Sequence, residues 1–449
     1  MENSSGPGPE HTAFTQWVVS HGVEIKGVAP ARFPGRRLGM VATRVIEENE
    51  IMLSIPVNLM LTVDSIPKEF VSLFPEGTPV QGILAAFLTH GNKEDQSQIL
   101  KEMSLWRSVW PAWEEFEQSM PIFWTGRLRV SNLRGFQSHS QDGDPDSNVA
   151  GTATRSLLPL SITGHQNGSP NQHQQSNFKF NSNPSYETRY QNLLPQQETR
   201  FRKAWDSVVS VFPETETNRK TFAYNWAIIN SRSFYYVSPG EDEPEDWNDA
   251  IAMVPFADYF NHDDDAACEV VFDGKWYTFK ATRRYEKGEE VYMNYGEHSN
   301  DFLWVEYGFF LDNNPSDGIY LDDIILPTLS RSEKKELVEY NCLGNYEITA
   351  SGANASTFAA ASIKYMSRQN WRDYLGGDAE EGFDEEKSAS VIRDWIEEYL
   401  RECSVTFDAL TKASKNTNDD SEKEKLGLML ARWKQIQQLC ESAIENITA

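Results

Sequence analysis

The sequence predicts an α+β fold, because strand signals and helix signals fall on different stretches of the chain. The run at 51–56 is rich in β-forming residues, and two further strand-like runs flank Asp273-Gly274, a pair typical of a β-hairpin turn. In the C-terminal stretch, residues instead recur at a spacing that places them on one face of a long helix. They are Leu426, Met429, Trp433, Ile436, Cys440 and Ala443. We therefore expect several small, mostly antiparallel sheets and a helical C-terminal part.

The N-terminal part of the chain predicts a helix, two strands and a second helix. The runs 36–43, 45–46 and 51–56 predict two strands joined by the polar turn 47–50, and the apolar run 82–89 predicts a buried helix. The first helix is indicated by residues at helical spacing ahead of Gly22, which offers a C-cap: Phe14, Trp17, Val18 and His21.

The middle of the chain changes composition sharply. Four tryptophans predict buried core rather than a ligand-binding box: Trp106, Trp110, Trp113 and Trp124. From 131 to 191 the sequence is dominated by Ser, Asn, Gln, Gly and His, which cannot bury enough apolar surface to offset the entropy lost on ordering. We therefore predict a disordered insertion at 131–191. A helix at 222–230 and a strand at 290–293 are predicted beyond it.

The charge balance and the cysteine pattern disfavour several classes of function. With 41 basic and 67 acidic residues the net charge is −26, which disfavours nucleic acid and anionic membranes and suits a basic protein partner. Acidic surface loops without a partner explain the charge equally well. No apolar run approaches the roughly 20 residues that cross a bilayer, and the first residues lack a secretory-signal pattern. The four widely spaced cysteines predict reduced thiols and a cytoplasmic or nuclear location.

Three short motifs between residues 254 and 311 form the most informative pattern. They read DYFNH at 258–262, NYG at 294–296 and YGF at 307–309. Two upstream elements accompany them, Ser231-Arg232 and Leu38-Gly39-Met40. In this order and spacing the set resembles the SET-domain methyltransferases, in particular the branch typified by the Rubisco large-subunit lysine methyltransferases. Each motif alone is a weak signal, and their combination carries the resemblance.

The resemblance implies a methyltransferase that uses S-adenosylmethionine and acts on a protein side chain. Tyr295 is the implied catalytic residue, with its hydroxyl lining the lysine channel. The residues implied to bind the cofactor are Leu38, Gly39, Met40, Ser231, Arg232, Asp258, Asn261, His262, Tyr295 and Phe309. The residues implied to line the substrate channel are Phe234, Tyr295 and Tyr307.

The residues alone leave other interpretations open. His262 and the three aspartates after it are ligand types for a hard cation, but adjacent residues rarely point at one centre, so we predict no metal site. Tyr307 and Phe309 on their own would more often be core residues, and Arg232 a solvated charge. The family turn near Gly39 often reads Gly-x-Gly, whereas this chain has Arg37-Leu38-Gly39, which leaves the role of Arg36 open.

The resemblance also implies a SET-domain β-clip of short antiparallel strands with a pseudoknot, a helical insert and an all-helical C-terminal domain. We predict the N-terminal half of this domain at 11–95, the helical insert at 96–230, the catalytic half at 231–315 and a substrate-binding domain at 316–449.

The predicted function is a monomeric protein-lysine N-methyltransferase that acts on a basic, non-histone protein. A ribosomal or translation protein is the substrate that the resemblance favours. Methyl transfer needs donor and acceptor held in line and a neutral amine, which an aromatic channel supplies without a metal or a nucleophilic triad. Two alternatives remain open: a protein-histidine methyltransferase, and a catalytically inactive SET-derived scaffold that binds basic proteins.

Overall fold

The computed structural model describes residues 6–33, 38–91, 101–124, 128, 156–163, 190–377 and 382–447. These residues form two compact units, each built from two stretches of chain. The first unit comprises Met1–Phe116 and Glu198–Glu297, and the second comprises Glu117–Gln197 and His298–Ala449. Within the described residues, no helix is long and apolar enough to span a membrane.

Helices occur in both units. The described α-helices are α1 (Pro9–Ser20), α2 (Lys68–Val71), α3 (Val80–His90), α4 (Ser104–Arg107), α5 (Trp113–Ser119), α6 (Leu160–Thr163), α7 (Leu193–Val211), α8 (Arg219–Arg232), α9 (Asn300–Tyr307), α10 (Asp322–Thr328), α11 (Arg331–Glu339), α12 (Ala355–Ser362), α13 (Arg368–Gly376), α14 (Glu385–Asn416) and α15 (Asp420–Ile447).

The strands are short. They are β1 (Glu24–Ile25), β2 (Val28–Arg32), β3 (Leu38–Ala42), β4 (Ile51–Pro56), β5 (Ser233–Tyr235), β6 (Ile251–Met253), β7 (Asn261–His262), β8 (Cys268–Phe272), β9 (Trp276–Ala281), β10 (Glu290–Met293), β11 (Gly318–Tyr320), β12 (Glu347–Thr349) and β13 (Gly352–Ala353).

Strands β1 to β10 form three small sheets in the first unit, with the orders β1-β4-β9-β8, β2-β3-β10-β7 and β5-β6. The pairs are antiparallel except β10–β7, which is parallel. This arrangement confirms the predicted α+β class with small, mostly antiparallel sheets. It also places β10 between two strands that are distant from it in sequence.

The predicted hairpin is confirmed in the first unit. Phe272 pairs with Tyr277, and Gly274 adopts a φ of 88° between them. Asp273 Oδ1 accepts from the backbone N–H groups of Lys275 and Trp276 at 2.8 and 2.7 Å. A side chain that satisfies two turn amides and a glycine that tolerates positive φ explain why this turn is readable from sequence.

Two predicted helices of the first unit are also confirmed. The apolar run beginning at Gly82 lies in α3, whose residues from Gln81 to Leu88 are buried. A Cβ on Gly82 would lie 3.0 Å from the Cβ of Ala204, so a glycine here permits close helix packing. The first helix is α1, which buries Phe14 and Val18 and ends ahead of Gly22, whose φ is 96°.

The second unit corrects one detail of the prediction, because its C-terminal part is not all helical. It contains the antiparallel sheet β11-β12-β13 in addition to its helices. Strands of two or three residues are too short to show the alternation that predicts a strand. The predicted long helix is confirmed as α15, which buries the whole expected face: Leu426, Met429, Trp433, Ile436, Cys440 and Ala443.

The predicted disordered insertion at 131–191 falls mostly outside the described residues. Residues 156–163 are described and differ from the expectation, because Leu160–Thr163 form α6 and both Leu158 and Ile162 are buried. Trp433 Nε1 donates to the carbonyl of Leu157 at 2.8 Å. The polar composition of the whole segment conceals this short apolar stretch, and its order depends on contacts with residues far away in sequence.

The four-part division of the chain stays a prediction.

A buried ionic network centred on Arg432 lies in the second unit. The Nη1 and Nη2 atoms of Arg432 donate to Asp317 at 2.6 and 3.0 Å, and Nε donates to Asp301 at 2.7 Å. Ser161 Oγ also donates to Asp301. The guanidinium is fully buried. Burial alone would lower the pKa of Arg432, but the two aspartates raise it. One buried guanidinium therefore bridges two carboxylates, and both aspartates depend on it for compensation of their charge.

We expect Arg432→Met to lower the free energy of unfolding by about 3–5 kcal/mol, because it leaves two carboxylates buried without their cation. Chemical denaturation followed by circular dichroism measures the change. The matched control is Arg401→Met, which removes an exposed guanidinium paired with Glu398. The control should cost no more than about 1 kcal/mol, and equal effects of the two substitutions would contradict the assignment.

Candidate functional site

The candidate site lies in the first unit where β3, β10 and β7 meet. Strand β10 pairs with β3 through Glu290 and Val41, and with β7 through Tyr292 and Asn261. Each strand supplies one of the sequence motifs or an immediate neighbour of it. The sheet register therefore brings together residues from three distant parts of the chain.

Asn261 is fixed by two hydrogen bonds in this sheet. Its Nδ2 donates to the carbonyl of Leu38 at 3.1 Å and to Glu290 Oε1 at 2.8 Å. Tyr292 OH in turn donates to Glu290 Oε2 at 2.7 Å. A Cβ on Gly39 would lie 2.7 Å from Asn261 Nδ2 and even closer to Glu290 Oε1. The backbone at position 39 can approach this pair only because it carries no side chain.

Tyr295 follows β10 and is oriented by two contacts with the 258–262 motif. Its hydroxyl donates to the carbonyl of Phe260 at 2.6 Å, and its backbone N–H donates to His262 Nδ1 at 3.1 Å. Burial raises the pKa of Tyr295 to about 12. Burial also lowers the pKa of His262, although Asp264 opposes the shift. Both side chains are therefore neutral at physiological pH, with His262 Nδ1 as an acceptor.

Arg232, at the end of α8, pairs with Asp258. Its Nη1 donates to the Asp258 carbonyl at 2.9 Å and lies 3.5 Å from Asp258 Oδ2. Trp106 Nε1 approaches the same carboxylate oxygen at 3.4 Å. Burial raises the pKa of Asp258, and Arg232 and Trp106 oppose that shift. The side chains of Arg232, Asp258 and Tyr295 are close enough to interact. Arg232 lowers the pKa of Tyr295, whereas Asp258 raises it.

The Arg232–Asp258 pair leaves polar atoms that a ligand could satisfy. Among the described residues, Arg232 Nε, Asp258 Oδ1 and Ser233 Oγ are buried atoms without a hydrogen-bond partner. Buried polar atoms without partners are rare in proteins because each costs free energy. A donor on Arg232 beside an acceptor on Asp258 fits the carboxylate and ammonium groups of an amino-acid moiety, such as that of S-adenosylmethionine.

The structure brings together most of the residues that the sequence singled out. Leu38, Gly39 and Asn261 contact one another, His262 contacts Tyr295, and Arg232 contacts Asp258. Met40 lies in β3, one residue after Gly39, with its side chain fully buried.

Other singled-out residues are engaged elsewhere. Ser231 Oγ donates to the carbonyl of Ala227 at 2.8 Å within its own helix. Phe234 lies in β5, with its ring edge-on to Phe279 at 6.0 Å. Tyr307 and Phe309 belong to the second unit, where their ring centroids are 6.1 Å apart. The site roles of these four residues, like those of the residues that the structure brings together, stay predictions.

Sequence reasoning missed Glu290, Tyr292 and Trp106. Glu290 precedes the NYG motif by a few residues and begins a predicted strand, but nothing local indicates that its side chain faces Asn261. The sequence predicts Trp106 to be core, and it is indeed buried, yet its indole N–H also faces Asp258.

The aspartates after His262 form a turn, since the Asp265 N–H donates to Asp263 Oδ1 at 3.0 Å. The described residues contain no group of three or more His, Cys, Asp or Glu side chains that could hold a metal ion. The four cysteines are free: Cys268, Cys342, Cys403 and Cys440.

Comparison with known proteins adds the family context of this geometry. A family model of the SET domain matches residues 37–296, which include Gly39, Arg232, Asn261 and Tyr295. The ribosomal lysine N-methyltransferase set11 of Schizosaccharomyces pombe is 32% identical over 150 residues, which are 33% of this chain and 38% of that protein. The actin-histidine N-methyltransferase of Canis lupus familiaris is 22% identical over 386 residues, which are 81% of this chain and 54% of that protein.

A solved structure shares the fold. Rubisco LSMT bound to sinefungin and monomethyllysine matches with a TM-score of 0.57 and 14% identity, covering 98% of this chain and 92% of that chain. At this identity the likeness establishes the fold. The chain spans 38% and 54% of the length of the two relatives above.

We expect Gly39→Ala to weaken S-adenosylmethionine binding at least about tenfold, because the new Cβ displaces the Asn261–Glu290 pair that shapes the site. Titration calorimetry measures the dissociation constant. The matched control is Gly427→Ala on α15, where an added Cβ meets no atom within 4 Å. Unchanged affinity in Gly39→Ala would show that this backbone does not approach the ligand.

Proposed function

Because the chain belongs to the SET-domain family, we propose that it is a protein-lysine N-methyltransferase that uses S-adenosylmethionine. The observation that carries the proposal is the neutral Tyr295 hydroxyl held on the Phe260 carbonyl. It lies close enough to Arg232 and Asp258 for both to influence its pKa. A neutral phenol beside a charged, partly unsatisfied pair suits a site that binds a zwitterionic methyl donor and an amine.

The chain's own residues would bind and orient the donor. S-adenosylmethionine, when bound, supplies an electrophilic methyl group on a sulfonium. Arg232 would hold the donor's carboxylate and Asp258 its ammonium group, which would satisfy the buried atoms of that pair. Asn261 and the backbone at Leu38 and Gly39 form the second contact surface. Two fixed anchor points limit the orientations of the donor, as in-line transfer requires.

The acceptor lysine must lose its proton before it can attack, although its ordinary pKa is about 10.4. Transfer from water into an aromatic channel favours the neutral amine. Tyr295 and Phe234 are the first-unit residues that we propose for this channel. The Tyr295 hydroxyl donates to a backbone carbonyl, so its oxygen can orient the amine as an acceptor. A phenol with a pKa of about 12 adds no negative charge that would stabilise the lysine ammonium ion.

The proposed substrate is a basic, non-histone protein, and a ribosomal or translation protein is the favoured class. Two findings support this choice: the net charge of −26 and the ribosomal lysine methyltransferase among the relatives. Opposite charge accelerates encounter and selects against acidic proteins. Such a substrate would be met in the cytoplasm or the nucleus. We propose that the protein acts as a monomer and without nucleic acid.

A histidine acceptor is the second candidate, and the actin-histidine relative, which aligns over 81% of this chain, favours it. Imidazole has an ordinary pKa near 6.5, so most of it is already neutral at pH 7. A histidine acceptor therefore requires less help from a desolvating channel. The Tyr295 and Asn261 geometry is compatible with both acceptors.

We expect Tyr295→Phe to lower the methyl-transfer rate by about 10²–10³-fold, because it removes a fixed oxygen beside the reacting amine. S-adenosylmethionine affinity should stay within about threefold, since the Arg232 and Asn261 contacts remain. Radiolabelled methyl transfer into lysate proteins and calorimetry give the two readouts.

The matched control for Tyr295→Phe is Tyr285→Phe. The Tyr285 hydroxyl is also buried and donates to a backbone carbonyl, that of Ala267, at 2.9 Å. Asn261→Ala should instead lose donor binding. Absence of donor binding in the unaltered protein would overturn the enzyme proposal and favour the scaffold alternative.

The pH dependence of kcat/KM distinguishes the two acceptors. With lysine, we expect an increase of about tenfold per pH unit between roughly pH 7 and 9, because the free amine titrates near 10.4. With histidine, the rate should level off above about pH 7. Tyr295 contributes no descending limb in this window, since its pKa is about 12. A flat profile above pH 7 on the identified substrate would contradict the lysine assignment.

A further inference from the structure

Helix α1 makes a buried hydrogen bond with the 258–262 motif. His11 Nδ1 lies 2.7 Å from Tyr259 OH, and both residues are buried. Burial raises the pKa of Tyr259 far above its ordinary value, so the phenol keeps its proton and can donate it to His11 Nδ1. Burial also lowers the pKa of His11, with Glu10 opposing this shift and Arg32 adding to it. The imidazole is therefore neutral, and its Nδ1 can accept from the phenol.

The backbone is strained two residues ahead of the 258–262 motif. Phe256 has a φ of 73° and a ψ of −32°, a region that a bulky residue rarely adopts, and its side chain is fully buried. Its ring packs edge-on against Tyr259 at 5.3 Å and lies 6.3 Å from the ring of Phe14. Such a conformation persists only where surrounding contacts enforce it, and strained conformations of this kind cluster at functional sites. Here α1 supplies one of them through Phe14.

The same helix also reaches Asp258 indirectly, through Trp106. The Phe14 ring is parallel to that of Trp106, with centroids 6.4 Å apart. Trp106 Nε1 approaches Asp258 Oδ2 at 3.4 Å. Asp258 itself lies in the short 3₁₀ helix Ala257–Tyr259, which directly follows Phe256. Two chains of contact therefore run from α1 to Asp258, one through Tyr259 and one through Trp106.

We propose that α1 is a positioning element of the site: His11 and Phe14 hold the turn at Phe256 so that Asp258 faces Arg232. Neither residue touches the reacting atoms, so both act through Tyr259 and Trp106. The identity of the ligand at Asp258 rests on the proposed function, but the placement of the carboxylate does not. The hydrogen bond between His11 and Tyr259 inside an aromatic cluster fixes one orientation of the Tyr259 side chain, which apolar packing alone would not do.

The test compares four single substitutions. His11→Phe keeps a ring but removes the acceptor, whereas His11→Asn keeps a polar atom where Nδ1 stands. Tyr259→Phe removes the donor. The matched control is His21→Phe, because His21 lies at the end of the same helix, is exposed and bonds only within its own segment. NMR spectra of proteins labelled with ¹⁵N-tryptophan report the resonance of the Trp106 indole N–H. This resonance is assigned as the one that is lost in Trp106→Phe.

We expect the Trp106 indole resonance to shift in His11→Phe and in Tyr259→Phe. In His21→Phe and in His11→Asn it should keep the position that it has in the unaltered protein. S-adenosylmethionine affinity should fall about fivefold in His11→Phe, as expected for one buried neutral hydrogen bond, and recover to within about twofold in His11→Asn. A variant that combines His11→Phe with Tyr259→Phe should lose no more affinity than either single variant, because each substitution removes the same hydrogen bond.

An unmoved Trp106 resonance in His11→Phe and Tyr259→Phe, with only a lower melting temperature, would overturn the positioning role. If His11→Phe does not fold, Tyr259→Phe and His11→Asn decide the question by the same resonance. Failure of the unaltered protein to bind S-adenosylmethionine would overturn the proposed function instead. The resonance would still establish or refute the placement of Asp258 by α1.

Discussion

The pairing of β10 between β3 and β7 is the feature on which the candidate site depends. It joins three segments that lie far apart along the chain and sets Gly39, Asn261 and Glu290 against one another. Side chains alternate along a strand, so a slip of one residue would turn Glu290 and Tyr292 away from Asn261. The missing side chain at Gly39 is part of the same constraint, because any Cβ there would occupy the space of the Asn261–Glu290 pair.

Burial organises the electrostatics of the site in two ways. It keeps Tyr295 and His262 neutral, so that their hydrogen bonds have fixed directions at physiological pH. It also makes the Arg232–Asp258 pair sensitive to its surroundings, because charges removed from water depend on whatever compensates them. A neutral acceptor region beside a charged pair is what donor binding and amine methylation together require. The second unit uses burial differently, since all three nitrogens of the Arg432 guanidinium already donate to Asp301 and Asp317.

The location of the strain at Phe256 is informative. The strained residue stands at the junction between β6 and the motif that carries Asp258 and Asn261. Its conformation is held by aromatic rings from α1 and from the motif itself. A rigid junction reduces the freedom of the residues that follow it, so a carboxylate and an amide on either side of Tyr259 can face different parts of one ligand.

The sequence by itself determined the elements whose cause is local. The Asp273-Gly274 hairpin, helices α3 and α15 and the order of the motifs follow from turn chemistry, apolar spacing and residue identity within short windows. Only the tertiary structure decided which side chains complete the site. Glu290, Trp106 and His11 reach their partners across 29, 152 and 248 residues of chain, and no local pattern encodes such contacts. The order at 156–163 and the short strands β11–β13 were likewise set by distant packing rather than by their own composition.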